Sequence, residues 1–355
     1  MDTSRDPISN MRNGSLQDHT SNNLTALRWL AAGLVLYGHS FVFLGLPEPI
    51  FLQWVPLGPL GVYIFFAISG YLVSQSWQHD PHVLRFLQRR ALRIFPGLVV
   101  CTLLCVLVLG PWLTTLDLAT YFANEHTRGY FSNIALYITY HLPGVFANNR
   151  LPHAVNGSLW SLPVEFAMYL LLAVLGLCRI NKWGLALVAV LFMAANSFWA
   201  LQTTEQVVFY RTDLRQVAMC GVYFFMGVVL FQFKLQKWFS VSNIWLAMVV
   251  WLAFSFHRDY FNAAAWFVLP FVVMAFGLSQ HSILSRLTPT DYSYGIYIYA
   301  FPVQQTVASF WPHLPLPQYL LGVSAVTLVL AAASWHWVEK PALAFKPHRK
   351  AALPH

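Results

Sequence analysis

The stretch Arg28–Ser40 reads RWLAAGLVLYGHS. Between its arginine and its histidine every residue but Tyr37 and the glycines is aliphatic or tryptophan, and the apolar run extends on both sides over 24–45. A segment of this length and polarity crosses a bilayer as a helix. Similar runs recur to the end of the chain. Of its 355 residues 57% are hydrophobic and 10% charged, with mean hydropathy +0.54, whereas a soluble domain is about a quarter charged. A membrane β-barrel would alternate residue by residue and these runs do not, so the expected class is an all-α polytopic membrane protein.

Ten spans are predicted, near 24–45, 57–77, 94–113, 160–178, 183–199, 214–232, 241–256, 262–280, 292–310 and 318–338. With the N-terminus in the cytoplasm, 15 of the 21 Lys and Arg fall in inside segments, 5 in outside segments, and Arg28 within the first span. That asymmetry predicts both termini cytoplasmic. The net charge of +8 then reflects basic inner loops rather than a nucleic-acid partner. The expected layout is a polar tail over 1–22, one membrane domain over 23–340 and a short basic tail over 341–355. The first 20 residues are polar, so no cleavable signal is expected. Cys101, Cys105, Cys178 and Cys220 all fall in apolar runs without further soft ligands, so neither a metal nor a disulfide is expected.

Ionisable groups at membrane depth are costly and mark function by default. Arg28 and His39 are 11 residues apart, which returns to the same helix face roughly 16 Å along the axis. Arg28 is placed near the inner edge, where it also fits an anchoring role. His39 is placed past the midplane. In NGSLWSLPVEF (Asn156–Phe166), Ser158, Ser161 and Glu165 share one face. Pro163 suits a first helical turn, so the helix is expected to begin near Ser161, with Asn156–Trp160 as a non-helical approach. Glu165 then reaches a depth similar to His39, and a His–carboxylate pair tuned for general-base work is geometrically allowed.

The basic stretch RFLQRRALRIFP (Arg85–Pro96) carries Arg85, Arg89 and Arg93 on one face with Arg90 beside them. It fits a lipid-facing anchor, or a phosphate site for a nucleotide-like ligand. DYSYGIYIYAFPVQQ (Asp291–Gln305) places Tyr292, Tyr294, Tyr297 and Tyr299 in one span, kinked at Pro302, where aromatic and amide groups fit either packing or a sugar-sized cavity. SWHWVEKP (Ser334–Pro341) reads as a helix end held by charge, with His336 in a packing role.

These pieces, with GVYIFFAISGYLVS at 61–74, occur in an order that resembles the acyltransferase 3 family of integral membrane O-acyltransferases. No single piece is specific; the ordered set is. The resemblance implies a ten-helix core in a bacterial inner membrane and an acyl-CoA donor, usually acetyl-CoA. It implies transfer to a hydroxyl of a cell-envelope carbohydrate. It also implies a catalytic His39, and donor binding by Arg28 and the Arg90/Arg93 pair, with Arg89 in the same motif. The chain looks like the stand-alone form, without a fused esterase-like domain. Many relatives carry a histidine after the tyrosine-rich stretch; here Ala300-Phe301-Pro302 stands there, and no catalytic role is carried to that helix. The mechanism expected is His39 as general base or acyl relay, with Glu165 orienting it. Asn156, Ser158, Trp160, Ser161 and Tyr294 are expected toward the acceptor. The rival reading is a saccharide transporter or flippase using His39 and Glu165 as a proton relay.

Overall fold

A computed structural model of the protein describes residues 22–201, 206–279 and 283–347. The tail expected over 1–22 lies outside the described residues but for Asn22, and the tail expected over 341–355 lies outside them beyond 347; Arg5, Arg12, Arg349 and Lys350 of the orientation argument are likewise outside. The long helices are α1 (Leu24–Leu44), α2 (Leu57–His79) and α3 (Val83–Leu113), which is α-helical to Leu104, π-helical over Cys105–Leu109 and α-helical again to Leu113. Two short helices follow, α4 (Leu118–Ala123) and α5 (Glu125–Tyr130). Next come α6 (Ser161–Leu177), α7 (Lys182–Leu201), α8 (Leu214–Gln232), α9 (Val241–Ala253) and α10 (Arg258–Gly277). The chain ends with the short α11 (Ile283–Leu287), then α12 (Ser293–Phe310) and α13 (Leu316–Leu343), which is π-helical over Trp335–Glu339. The strands among the described residues are two hairpins of two-residue strands.

Among the described residues, eight helices are long and apolar enough to cross a membrane. The two remaining predicted spans are helical but fall short of that test. At 13 residues α9 is short, and the tyrosines and paired glutamines of α12 make it less apolar than the eight. The third span is also longer than predicted, because the basic stretch is continuous with it as one helix from Val83.

The centre of the bundle is α2 against α8, the two most buried of the spanning helices, whereas α7 is the most exposed. A Cβ on Gly70 would strike the Phe224 carbonyl of α8, and one on Gly227 would strike the Ala67 carbonyl of α2. In lipid there is little hydrophobic drive between helices, so such small residues let backbones approach and dispersion hold the pair. Helix α1 lies between α2 and α12. It ends at Gly45 in the left-handed region, whose N–H and that of Leu46 close back on Val42 and Phe41, a Schellman-type stop.

The long segment between α3 and α6 is ordered by its own contacts. Tyr121, Tyr130, Leu142, Val145 and Val155 are buried. The Tyr121 hydroxyl donates to the Val106 carbonyl (3.0 Å) in the π-helical turn of α3. Gln305 of α12 donates to the carbonyls of Leu151 and Ala154 (2.8 and 2.7 Å) and accepts from Asn149 (2.7 Å). One amide side chain thus ties this segment to α12.

Candidate active site

The α-helix of α6 begins at Ser161, as the sequence predicts, but its approach is not the expected non-helical entry: Gly157–Trp160 is a 3-10 turn continuous with it. The Asn156 side chain accepts from Ser158 N (3.3 Å), donates to the Ile298 carbonyl of α12 (2.8 Å) and lies 3.7 Å from Cys101 Sγ. It therefore pins the turn between α3 and α12. Trp160 is half-buried and packs into the core.

A cavity of about 480 Å³ opens between α1, α2, α3, α6, α12 and the end of α13. Arg28, Arg89, Arg90, Arg93, Ser161, Glu165 and Tyr294 all line it, and so does Lys346. Residues as far apart in sequence as 28 and 346 thus meet around one space. Arg28 Nη1 and Arg93 Nη2 both reach Asp291 Oδ2, at 3.1 and 2.7 Å. Asp291 also accepts from the backbone N–H (3.2 Å) and the hydroxyl of Ser293. Burial works to raise the Asp291 carboxyl, but the Arg93 and Arg28 guanidinia hold it down, to about 2. Asp80 binds Arg85 (2.6 Å) and Arg89 (2.8 Å), and these hydrogen bonds keep its carboxyl well below the usual carboxylate range. Arg85 is not among the cavity-lining residues.

Glu165 is held inside this cavity rather than beside His39. Its Oε1 accepts from Ser69 (3.2 Å) and from the Tyr169 hydroxyl, and Ser69 and Tyr169 are themselves 2.8 Å apart. The His39–Glu165 pair allowed by depth is therefore not formed. Equal depth did not fix direction, and Glu165 faces α2 where Ser69 meets it.

His39 lies at the other end of α1 and does not line the cavity. Its ring packs edge-on to Phe301 (5.4 Å) and Phe43 (6.4 Å). A Cβ on Gly157 would press into the same Phe301 ring, so His39 and the 157–160 turn flank one aromatic side chain. Three buried polar atoms of this neighbourhood have no hydrogen-bond partner among the described residues: His39 Nδ1, Ser158 Oγ and Gln304 Oε1. Gln304 spends its Nε2 on the Leu36 carbonyl (2.7 Å) and Ser40 Oγ (2.8 Å) of α1. Buried polar atoms are nearly always paired, so a group of orphans marks a place that a ligand can complete.

The cavity and the histidine are joined along α12, whose Tyr294, Tyr297 and Phe301 follow at helical spacing. Tyr297 lines the cavity, bonds Ser161 Oγ (2.6 Å) and packs edge-on to Phe65 (5.8 Å); Phe301 is one turn further, at His39. Tyr294 is anchored by its hydroxyl to the Ile94 carbonyl (2.6 Å).

Five residues of this arrangement had no role from sequence: Ser69, Asp80, Tyr169, Asp291 and Lys346. Two signals were available. Asp80 stands five residues before the basic stretch, and Asp291 opens the tyrosine-rich one; a carboxylate near an arginine cluster is the natural counter-ion. At the end of α13, Glu339 is buried and accepts from Ser334 (2.9 Å), while the Tyr292 hydroxyl meets His336 Nε2 (3.1 Å). All four cysteines are free; Cys178 is exposed and the other three are buried. Among the described residues no group of His, Cys, Asp and Glu could hold a metal ion.

Residues 21–336 match the acyltransferase domain of the acyltransferase 3 family. The chain belongs to this family. It is 32% identical over 331 residues to an O-acetyl transferase of Shigella phage Sf6, covering 91% of this chain and 96% of that one. It is 29% identical to nodulation protein 10 of Rhizobium leguminosarum bv. viciae, over 93% of this chain and 96% of that one. Against O-acetyltransferase OatA of Staphylococcus aureus the identity is 22%, over 84% of this chain and 56% of that one. No solved structure matches. This member of the acyltransferase 3 family is thus an acyltransferase, and its apolar helices make it a multi-pass membrane protein.

Proposed function

We propose that this acyltransferase moves an acetyl group from acetyl-CoA to a hydroxyl of a cell-envelope saccharide, in a bacterial inner membrane with both termini cytoplasmic. The observation that carries the reading is one helix with a different task at each end. At the Arg28 end of α1 lies a cavity with four arginines and a lysine; at the other, roughly 16 Å along the axis, lies His39 with unpaired polar atoms around it. A polyphosphate belongs at the first end, since arginine's fork suits phosphate oxygens. A hydroxyl to be deprotonated belongs at the second.

In this reading Arg28 and Arg93 hold the donor diphosphate, and the pantetheine arm runs along α1 and α12. The Tyr297–Ser161 bond and the Phe301 ring lie between the cavity and His39, so the thioester reaches His39 when that layer parts. His39 takes the hydroxyl proton as the sugar oxygen attacks the thioester carbonyl. The tetrahedral oxyanion accepts from Ser158 Oγ. Collapse breaks the C–S bond, and the departing thiolate takes the proton from the imidazolium. Asn156 and Trp160 shape the acceptor side, and Ser161 and Tyr294 the channel. Glu165, held by Ser69 and Tyr169, tunes the cavity's charge rather than the imidazole. An acyl-His39 relay uses the same geometry with the acyl group resting on the ring.

The test is transfer of labelled acetyl from acetyl-CoA into envelope carbohydrate by membranes carrying wild type or His39→Ala at matched protein levels. Label incorporated by the wild type and lost in the variant is expected. Full incorporation by His39→Ala would move the chemistry elsewhere. No incorporation by the wild type with acceptor present would overturn the donor assignment.

A further inference from the structure

The cations around the cavity are not equivalent. Arg28 and Arg93 share Asp291, and Arg89 is bound by Asp80. Arg90 and Lys346 form no ion pair among the described residues; Arg90 rests its guanidinium 6.0 Å from the centre of the Phe86 ring, and its Nε, like Nε and Nη2 of the neighbouring Arg89, is buried without a hydrogen-bond partner there. Glu165, the other carboxylate in the cavity, accepts from the neutral Ser69 and Tyr169 and acts on Arg90 by its charge without forming an ion pair with it. One carboxylate without an ion pair does not balance both Arg90 and Lys346, and buried guanidinium nitrogens left unpaired call for an anion from outside.

Lys346 reaches the cavity by a specific turn. After α13 ends at Leu343, the N–H groups of Ala344, Phe345 and Lys346 close back on the carbonyls of Pro341, Ala342 and Leu343 (3.1, 3.1 and 3.2 Å). The last turns of α13 pack on α3, which sets Lys346, half-buried, among the arginines of that helix. Burial and the surrounding arginines, Arg90 and Arg93 foremost, push its ammonium below the usual lysine range. Such crowding of like charges is relieved by a bound anion.

Depth along the cavity follows from the register of α3 with α12. Ile94 meets Tyr294, Cys101 meets the Ile298 carbonyl, and Phe301, a turn further, touches His39. Moving up α3 therefore leads toward His39. Arg89 and Arg90 precede Arg93 by about one turn, on the side away from the histidine, and Lys346 joins them from beyond the end of α13. In coenzyme A the order from the thioester is pantetheine, diphosphate, then the ribose with its 3′-phosphate. With the thioester toward His39, the diphosphate falls to the inner pair, Arg28 and Arg93, and the 3′-phosphate to the outer pair, Arg90 and Lys346, which has no ion-pair partner among the described residues.

We infer that Lys346, together with Arg90, forms a subsite for the 3′-phosphate of the donor nucleotide. The inference rests on the acyl-CoA reading above but adds to it: the protein distinguishes coenzyme A from its 3′-dephospho form, and a residue beyond the last helix makes the distinction. Charge-assisted contacts to phosphate are among the stronger ones a protein makes.

The experiment is calorimetric binding of coenzyme A and of 3′-dephospho-coenzyme A to the purified full-length protein. The wild type is expected to bind coenzyme A about tenfold tighter or better, roughly one charge-assisted contact. Lys346→Gln loses that preference while its affinity for the dephospho form stays, and Lys346→Arg retains it. Equal wild-type affinity for the two ligands, or equal weakening of both by Lys346→Gln, overturns the subsite and leaves the donor reading standing. Binding of neither ligand overturns both.

Discussion

The two ends of α1 handle polar groups in opposite ways. At the Arg28 end the polar groups are charged and most of the cations are paired: Asp291 bridges Arg28 and Arg93, Asp80 bridges Arg85 and Arg89, and Glu165 accepts from Ser69 and Tyr169, while Arg90 and Lys346 form no ion pair among the described residues. At the His39 end the polar groups are neutral, and the imidazole Nδ1, the Ser158 hydroxyl and the Gln304 carbonyl oxygen are buried without partners among the described residues. Charges left bare in a low-dielectric interior cost far more than neutral dipoles left bare. In the proposed reading, carboxylates preorganise Arg28, Arg93 and Arg89 for a polyanion, whereas the proton-transfer end holds neutral groups. The contrast supports the proposed division, binding at one end and chemistry at the other, and four changes would break or sharpen it.

The largest effect is expected from His39→Ala, with acyl transfer falling about 10³-fold, within the range for a general acid–base residue. Donor affinity, read by calorimetry, should be unchanged. A matching loss of donor affinity would merge the two ends into one site.

Asp291→Asn should act on the opposite side of the ledger, raising the KM for the donor while kcat changes less. Removing one partner of a buried ion pair costs about 3 kcal/mol, so a fall in Tm is expected as well. Asp291 titrates at about 2 in the fold against about 3.9 unfolded. Its contribution to stability is full above about pH 4 and is lost as pH falls toward 2. Asp291→Asn should flatten the melting curve's dependence on pH in that window.

Glu165→Gln separates the arrangement seen here from a direct His–carboxylate pair. The amide can still accept from one of Ser69 and Tyr169, so the expected cost is about 1 kcal/mol of stability with a partial loss of rate. Loss of transfer as complete as that of His39→Ala would return Glu165 to the histidine's end.

The smallest effect concerns the segment between α3 and α6, where His126, His141 and His153 lie ring to ring at 5.0 Å. Burial, then the charges of His126 and His153, lower the His141 imidazole below its usual value. A depressed histidine contributes stability above its unfolded pKa of about 6.5, and the contribution is lost as pH falls through the folded value. Hydrogen exchange in residues 114–157 should rise on acidification below that point, and His141→Gln should weaken the dependence.

Much of this was legible in the sequence. The apolar runs gave the helical membrane class, and the Asn-Gly-Ser-Leu-Trp-Ser-Leu-Pro stretch gave a helix beginning at Ser161. Helical spacing gave Arg28 and His39 on one face. The arginine cluster, Ser161, Glu165 and Tyr294 were each singled out and meet in one cavity. The paired carboxylates were not read, because a counter-ion is chosen across helices. Asp291 is 263 residues from Arg28, and no local pattern encodes that distance. Hydropathy also treated all ten predicted spans alike, although α9 and α12 do not meet the same standard of length and apolarity.

The sequence by itself determined which segments are apolar helices, where several of them begin, and which polar residues they carry into the membrane. These are local properties, set by periodicity, proline placement and the cost of burying charge. Only the tertiary structure decided which polar residues face one another. Glu165 was turned toward Ser69 rather than His39, Asp291 was set between Arg28 and Arg93, and Lys346 was folded back from beyond the last helix. Those choices depend on helix rotation and crossing, fixed by close contacts such as Gly70 on Phe224 and Gly227 on Ala67, and packing of that kind is a property of the pair of helices and not of either alone.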